Sequence, residues 1–376
     1  MQINVNSDSI IQELCICSSV INGKQSIPIL NDVLFITYPN EQRAEIISSD
    51  GEIWVTQHVR NVLSGEKIKF CVNAANLLSV LRNLEPNTDI VMDFDCNNNK
   101  LKISHKSGLV NMPYENGDEY PLPKVIAQRK FKILGHSLLK AIKNVSFAVS
   151  VDNLRPIISS VFFDISENKI TTVGTNLKKL IKHDVDFKNE TGTNASFPLP
   201  IKSANVLSSI LAKGNIGDVS FGADEKTFTA VGEGFDFVCT LQSGRCPNYN
   251  SIMPKGYKFK ASLNKLSFIG AIKRVNKMGD DNDDAITLRF AQGCVVVSAK
   301  DCAMCKNANE KVICDNDCNG FEIVFSFCEL YSILNNIDDD TVIIYFNTEK
   351  SATVITAAKM ETTAKTTSLI MPLASL

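Results

Sequence analysis

The chain has 376 residues, 44% of them hydrophobic and 21% charged, with a formal net charge of −2. That length provides for two or three domains, each able to bury its own core, and the composition excludes a disordered or collagen-like chain. The near-zero charge excludes a chain drawn bodily to polyanions, so any nucleic-acid contact must come from uneven placement of charge.

The first residues, Met1-Gln2-Ile3-Asn4-Val5-Asn6, lack the basic segment and apolar run of a secretory signal. No stretch approaches the roughly 18 apolar residues that span a bilayer, so a soluble, cytoplasmic protein without membrane contact is expected. Twelve cysteines are present, and Cys15, Cys17, Cys71, Cys239 and Cys294 sit in apolar surroundings. There they act as small hydrophobes in a reducing compartment.

Along the chain, residues 9–14 carry apolar side chains at helical spacing behind Ser9, and residues 33–37 read as a β-branched and aromatic strand. A second helix is predicted over 76–81, followed by strands at 89–92 and 100–105. Pro121-Leu122-Pro123-Lys124 then punctuates the chain. The order recurs: a helix at 137–142, a strand at 161–165, a helix at 205–210, strands at 218–221 and 227–231, and a break at Pro254-Lys255-Gly256. It recurs again with a helix at 267–272, a strand at 286–290, a helix at 329–334 and strands at 341–344 and 353–357. Ser9, Ser137 and Ser267 stand where each first helix would be capped or preceded. Three similar α+β domains follow, at 1–127, 128–257 and 258–376, each with two helices backed by antiparallel strands.

The predicted helices carry Arg82, Lys140, Lys143, Lys202, Lys213, Lys273, Arg274 and Lys277 against only Asp8, Glu13 and Glu329. Since the whole chain is slightly acidic, cations gathered on one class of element suit sequence-independent contact with phosphates. Lysines also commonly serve only to solvate a helix face.

Three local motifs carry a family resemblance. Ser26-Ile27-Pro28-Ile29-Leu30-Asn31, Arg245-Cys246-Pro247-Asn248-Tyr249 and Ile370-Met371-Pro372-Leu373 stand in the right order within a threefold repeat of the right length. By these residues the chain resembles the bacterial DNA polymerase III β subunit, the sliding clamp. The resemblance implies a DNA-clamp fold and a head-to-tail homodimer closing into a ring. It implies a processivity factor with no catalytic site and no cofactor. Twelve helices set about 9 Å apart around a circle would span roughly 34 Å, enough for duplex DNA once a helix diameter of about 10 Å is subtracted. The implied partners are duplex DNA, the DNA polymerase III catalytic subunit, the clamp loader and other clamp-binding peptides.

The resemblance also implies residue roles. Lys24 and Arg155 fall at loop positions that face DNA in the family, joining Arg82, Lys140, Lys143, Lys202, Lys273, Arg274 and Lys277. Pro156 and Ile157 replace aromatics that often follow the arginine. An apolar groove for partner peptides would be built from Ile158, Thr175, Leu177, Leu180, Pro247, Ile252, Leu369, Met371, Pro372 and Leu373, rimmed by Lys178, Lys179 and Ser251. Leu177-Lys178-Lys179 replaces the family's usual Gly-His-Arg, which points to a different preferred peptide.

The competing reading is a three-repeat scaffold without DNA, with or without a zinc site; reduced cysteines and no metal are expected. Cys302, Cys305, Cys314 and Cys318 have a spacing that four zinc ligands can adopt. A hydrolase is a remote third. His58, His105, His136 and His183 are scattered outside any nucleophile or metal signature, and no glycine-rich phosphate loop is present. Asp280-Asp281 and Asp338-Asp339-Asp340 read as solvated turns.

Overall fold

A computed structural model describes the chain apart from residues 1, 22, 24–25, 124–126, 129, 151–154, 190, 215, 245, 280–283, 302, 360–363 and 374–376. Among the described residues there are six α-helices: α1 Asp8–Val20, α2 Ala74–Leu81, α3 Gly135–Ser146, α4 Ile201–Leu211, α5 Lys265–Asn276 and α6 Phe327–Asn335. Each helix expected from spacing lies within one of them, and each expected strand lies within an observed strand. None of these helices is long and apolar enough to cross a membrane.

The caps differ from expectation. Ser9 and Ser267 lie inside their helices, and Ser137 is the third residue of α3. The cap of α5 is Asn264, whose Oδ1 accepts from the Ser267 N–H at 2.9 Å. Asn73 caps α2 in the same way, accepting from the Asn76 N–H at 3.0 Å, and Ser326 caps α6. A cap needs extended backbone and a short acceptor three residues ahead of the N–H it satisfies, and in α5 Asn264 supplies these three residues before Ser267.

The chain forms two compact units, residues 1–139 with 202–241 and residues 140–201 with 242–376. The second repeat is thus divided between them. In the first unit, Gln2–Asn6 lies in a five-stranded sheet ordered Leu63–Ser64, Gln2–Asn6, Asp89–Asp95, Lys100–His105, Gly108–Pro113. A nine-stranded sheet joins first-repeat and second-repeat strands where Ile53–Arg60 pairs antiparallel with Phe235–Thr240, Val55 opposite Phe237. Alternate residues of Ile53–Arg60 are buried, the period-2 pattern of a strand with one covered face. Helix α1 packs on this strand and on Arg43–Ser49, inserting Ile10, Leu14 and Cys17. Each fully buried aliphatic side chain contributes about 1.5–3 kcal/mol.

The second unit holds a twelve-stranded sheet. Its junction is Lys179–Asp186 against Ala364–Ile370, with Leu180 opposite Leu369. Helix α3 lies close on Lys169–Thr175: a Cβ on Gly174 would come within 2.2 Å of the Val145 carbonyl oxygen. Only glycine permits that approach. Helix α5 packs on Cys294–Asp301 and Lys306–Asn316 and also on α6, with Phe268 and Ile272 fully buried.

Candidate functional site

The groove expected from the motifs begins at the hairpin between Lys169–Thr175 and Lys179–Asp186. Asn176 Oδ1 accepts from the N–H groups of Lys178 (3.1 Å) and Lys179 (2.9 Å). Thr175 Oγ1 accepts from the Leu177 N–H at 3.1 Å and donates to the Lys179 carbonyl at 2.7 Å. These bonds hold Leu177 in the left-handed region, at φ +72°. Asparagine and threonine suit this turn because their short side chains satisfy backbone groups two residues on.

The two lysines expected at the rim part company. Lys178 is exposed. Lys179 lies beneath, only 6% exposed, with Nζ 3.0 Å from Glu329 Oε2 and 2.6 Å from Ser332 Oγ. Asn176 Nδ2 donates to Glu329 Oε1 at 2.9 Å. A buried ammonium needs such a partner set, since leaving either charge alone costs several kcal/mol.

The last strand brings in the remaining residues. Beyond Ile370, the Met371 N–H donates to the Lys178 carbonyl at 2.9 Å, and the Leu373 N–H to Val324 at 2.8 Å. Under this rim, Leu180 and Leu369 join Phe162, Val173, Tyr249 and Val354 in one buried cluster. Leu177, Ile252 and Met371, each two or three residues along the chain from a member of that cluster, are respectively 59%, 52% and 43% exposed. Ile158, Pro372 and Leu373 are half-buried, Pro247 and Ser251 exposed, and Thr175 buried.

Tyr249 was absent from the sequence expectation for the groove. Its hydroxyl donates to Asp164 Oδ2 at 2.8 Å, and burial together with that carboxylate pushes the phenol up, so it stays a neutral donor. Its place in the Arg245–Tyr249 motif was the signal available. Exposed apolar side chains close in sequence to a buried apolar cluster suit the side chains of an extended segment. Arg245 lies outside the described residues.

The cations expected at DNA are exposed but unequally engaged. In the first unit, Arg82 Nη2 donates to Cys15 Sγ at 3.0 Å. Lys202, at the start of α4, pairs with Asp50. Lys213, a half-buried helix cation outside that set, bonds Glu13 Oε1 and Gln57 Oε1, both at 3.0 Å. In the second unit, Lys140, Lys143, Arg155 and Lys277 are exposed. Lys273 Nζ sits 4.6 Å from the Tyr331 ring centroid, a cation–π contact. Arg274 pairs with Glu310 and holds that carboxyl below the usual carboxylate range. Asp50 and Glu310 were not foreseen, since they come from positions 152 and 36 residues away. Lys24 lies outside the described residues.

The cysteine spacing does not survive folding as a metal site. Cys305 adjoins the start of the strand Lys306–Asn316, whereas Cys314 sits near its far end. Nine residues of strand separate them by about 30 Å. Cys302 and the acids at 280–281 lie outside the described residues. Among the described residues no group of three His, Cys, Asp or Glu side chains is placed to hold a metal ion.

Two helices laid on antiparallel strands, three times over, with strands of successive repeats joined edge to edge in each unit, define a DNA clamp of the three-domain type. Family models for the DNA polymerase III beta subunit match in succession: the N-terminal domain over residues 1–124, the central domain over 132–248 and the C-terminal domain over 250–374. The beta sliding clamp of Staphylococcus epidermidis is 22% identical over 356 residues, covering 92% of this chain and 93% of the relative. That of Staphylococcus aureus is 23% identical over 357 residues, with the same coverage. Among solved structures, a Pseudomonas aeruginosa sliding clamp bound to griselimycin superposes with a TM-score of 0.93 at 18% identity. It covers all of both chains. The Streptococcus pyogenes beta subunit gives 0.92, also at 18% and over all of both chains. The chain belongs to the DNA polymerase III beta subunit family and is a sliding clamp of that polymerase. Nothing supports the zinc-stabilised scaffold.

Proposed function

We propose that two copies close head to tail around duplex DNA, and that the ring tethers the replicative polymerase and other partners through the groove at Leu177, Ile252 and Met371 without catalysing a reaction itself. The observation that carries this reading is the exposure of three large apolar side chains, each two or three residues along the chain from a member of one buried cluster. Isolated exposed leucines are ordinary, whereas three tied through their neighbours to one cluster suit a binding surface.

The head-to-tail contact has two available edges. Gly108–Pro113 ends its sheet, with Leu109 exposed. Lys306–Asn316 pairs with Cys294–Asp301 on one side and on the other only through Cys314–Asn316, with Ile313 exposed. Pairing the first edge of one copy with the second edge of another would satisfy both rows of backbone groups and cover both side chains.

The DNA contact is weak by construction. Among the described residues Lys143 and Lys277 make no ion pair, while Lys202 and Arg274 already have carboxylate partners. Few phosphate contacts suit sliding, because a closed ring is held by topology rather than affinity. A loaded ring should stay on nicked circular DNA and run off once the circle is cut. Equal loss from both substrates would sink the reading.

A further inference from the structure

Within the second unit, a cavity of about 100 Å³ lies on the helix-bearing face of the twelve-stranded sheet. Leu180, Val354 and Leu369 belong to the buried cluster on the other face. On the same three strands His183, Ile355, Thr366 and Ser368 line the cavity. Each stands an odd number of residues from the cluster member of its strand, and side chains alternate between faces. His183 lies opposite Thr366, and Ile355 opposite Ser368. The ends of α3 and α6 close the space, bringing Phe147 from one and Ile333 and Ile337 from the other.

The polar side chains of the lining are engaged with one another, with one exception. Thr366 Oγ1 lies 2.8 Å and Asn144 Nδ2 3.3 Å from His183 Nδ1. Ser368 is only 3% exposed, yet among the described residues nothing hydrogen-bonds its hydroxyl. Buried hydroxyls nearly always have a partner, and one left without it lowers stability.

Size and charge restrict what can partner it. A water needs about 10–15 Å³ of such space, and a benzene ring sits in an apolar cavity of about 150 Å³. The cavity therefore exceeds a single water and takes one ring at most. Phe147, Ile333, Ile337 and Ile355 favour an apolar body. Asp338 borders the space together with Lys359 and Lys365, so both signs of charge are present, and an ion would lose hydration without a dedicated counter-charge.

We propose that this cavity binds a small neutral ring bearing one hydrogen-bonding group, of the size and polarity of a phenol. The ring packs on Phe147 and the isoleucines, and its hydroxyl pairs with Ser368 Oγ. The site draws on the second and third repeats and depends neither on ring closure nor on the groove.

Phenol itself is the probe, titrated into the full chain by ligand-observed NMR, with toluene and benzoate for comparison. It should bind with a Kd of about 1 mM, the scale open to so few atoms. Ser368→Ala deletes only an unpaired hydroxyl and leaves the fold intact. It should shift the preference between the two neutral rings about fivefold from phenol towards toluene, the scale of one hydrogen bond. Benzoate should bind at least about tenfold more weakly than phenol. No saturable phenol binding below about 10 mM would leave the cavity to solvent and overturn the proposal. An unchanged preference in Ser368→Ala would place phenol elsewhere and overturn it equally, and benzoate bound as tightly as phenol would refute a neutral ligand.

Discussion

Asp50→Asn isolates the effect of a carboxylate that occupies Lys202, a lysine proposed to face DNA. The Asp50 side chain is 5% exposed and its partner Lys202 44% exposed. Asp50 Oδ1 also accepts from the N–H groups of Glu52 and Ile53, at 2.9 and 2.8 Å. Asparagine keeps that oxygen, so the turn survives and only the charge on Oδ2 is lost. With the lysine nearly half in solvent, the pair is worth about 0.2–1 kcal/mol, and the variant should lose no more than that in stability. The released ammonium can then neutralise one more phosphate per copy, two per ring, steepening the slope of log affinity against log salt by about 1.8. Across a fourfold rise in salt that amounts to about a 12-fold additional loss of affinity. Fluorescence anisotropy with a labelled duplex between 50 and 200 mM salt reads the slope. Adding Lys202→Gln should return it to the parent value or below. An unchanged slope in a folded Asp50→Asn chain would show that Lys202 does not face DNA.

Gly174→Ala should cost about 3 kcal/mol or more, because the Cβ would meet backbone at Val145 rather than a movable side chain; a denaturant midpoint equal to the parent's would refute this packing. Cys17, Cys71 and Cys239, whose thiols burial pushes up to about 12, should resist a thiol reagent at pH 8 while exposed Cys96 and Cys305 react. Equal rates would place the first three at the surface. Purified protein should carry no stoichiometric zinc by plasma emission analysis, and one zinc per chain would contradict the separation of Cys305 from Cys314. Asp184 is raised by burial but lowered further by hydrogen bonds from Thr171 and Lys182 and by Lys169, so its folded pKa lies below the unfolded one. Its stabilising share is therefore present above about pH 4 and lost as pH falls through the folded value. Asp184→Asn should flatten the acid limb of the stability curve, and an unaltered limb would exclude this residue.

Six helices were legible because each carries its signal in a few consecutive residues, as Asn76–Leu81 and Asn205–Ile210 do. Strands such as Thr341–Phe346 were legible from alternation for the same reason. The joins were not. Nothing in Phe235–Thr240 names Ile53–Arg60 as its partner, since any alternating strand can pair with another until the fold sets the register. The division of the second repeat between two compact units follows from those joins and was equally hidden. Leu177, Ile252 and Met371 were assigned to the proposed groove through the family resemblance, yet their exposure was not predictable from type. Lys179 was expected beside Lys178, because two adjacent lysines read alike. Only Glu329, 150 positions away, turns one of them inward.

The strand Lys179–Asp186 has a consequence for biosynthesis. Its partner residues lie about 190 positions later, Leu180 facing Leu369. At about 5–20 residues per second, a ribosome needs roughly 10–40 s to make up that gap. Through that interval one margin of the nascent sheet stands open to any passing β-segment. Chaperone dependence during translation, rather than marginal stability once complete, is where this clamp should be most vulnerable.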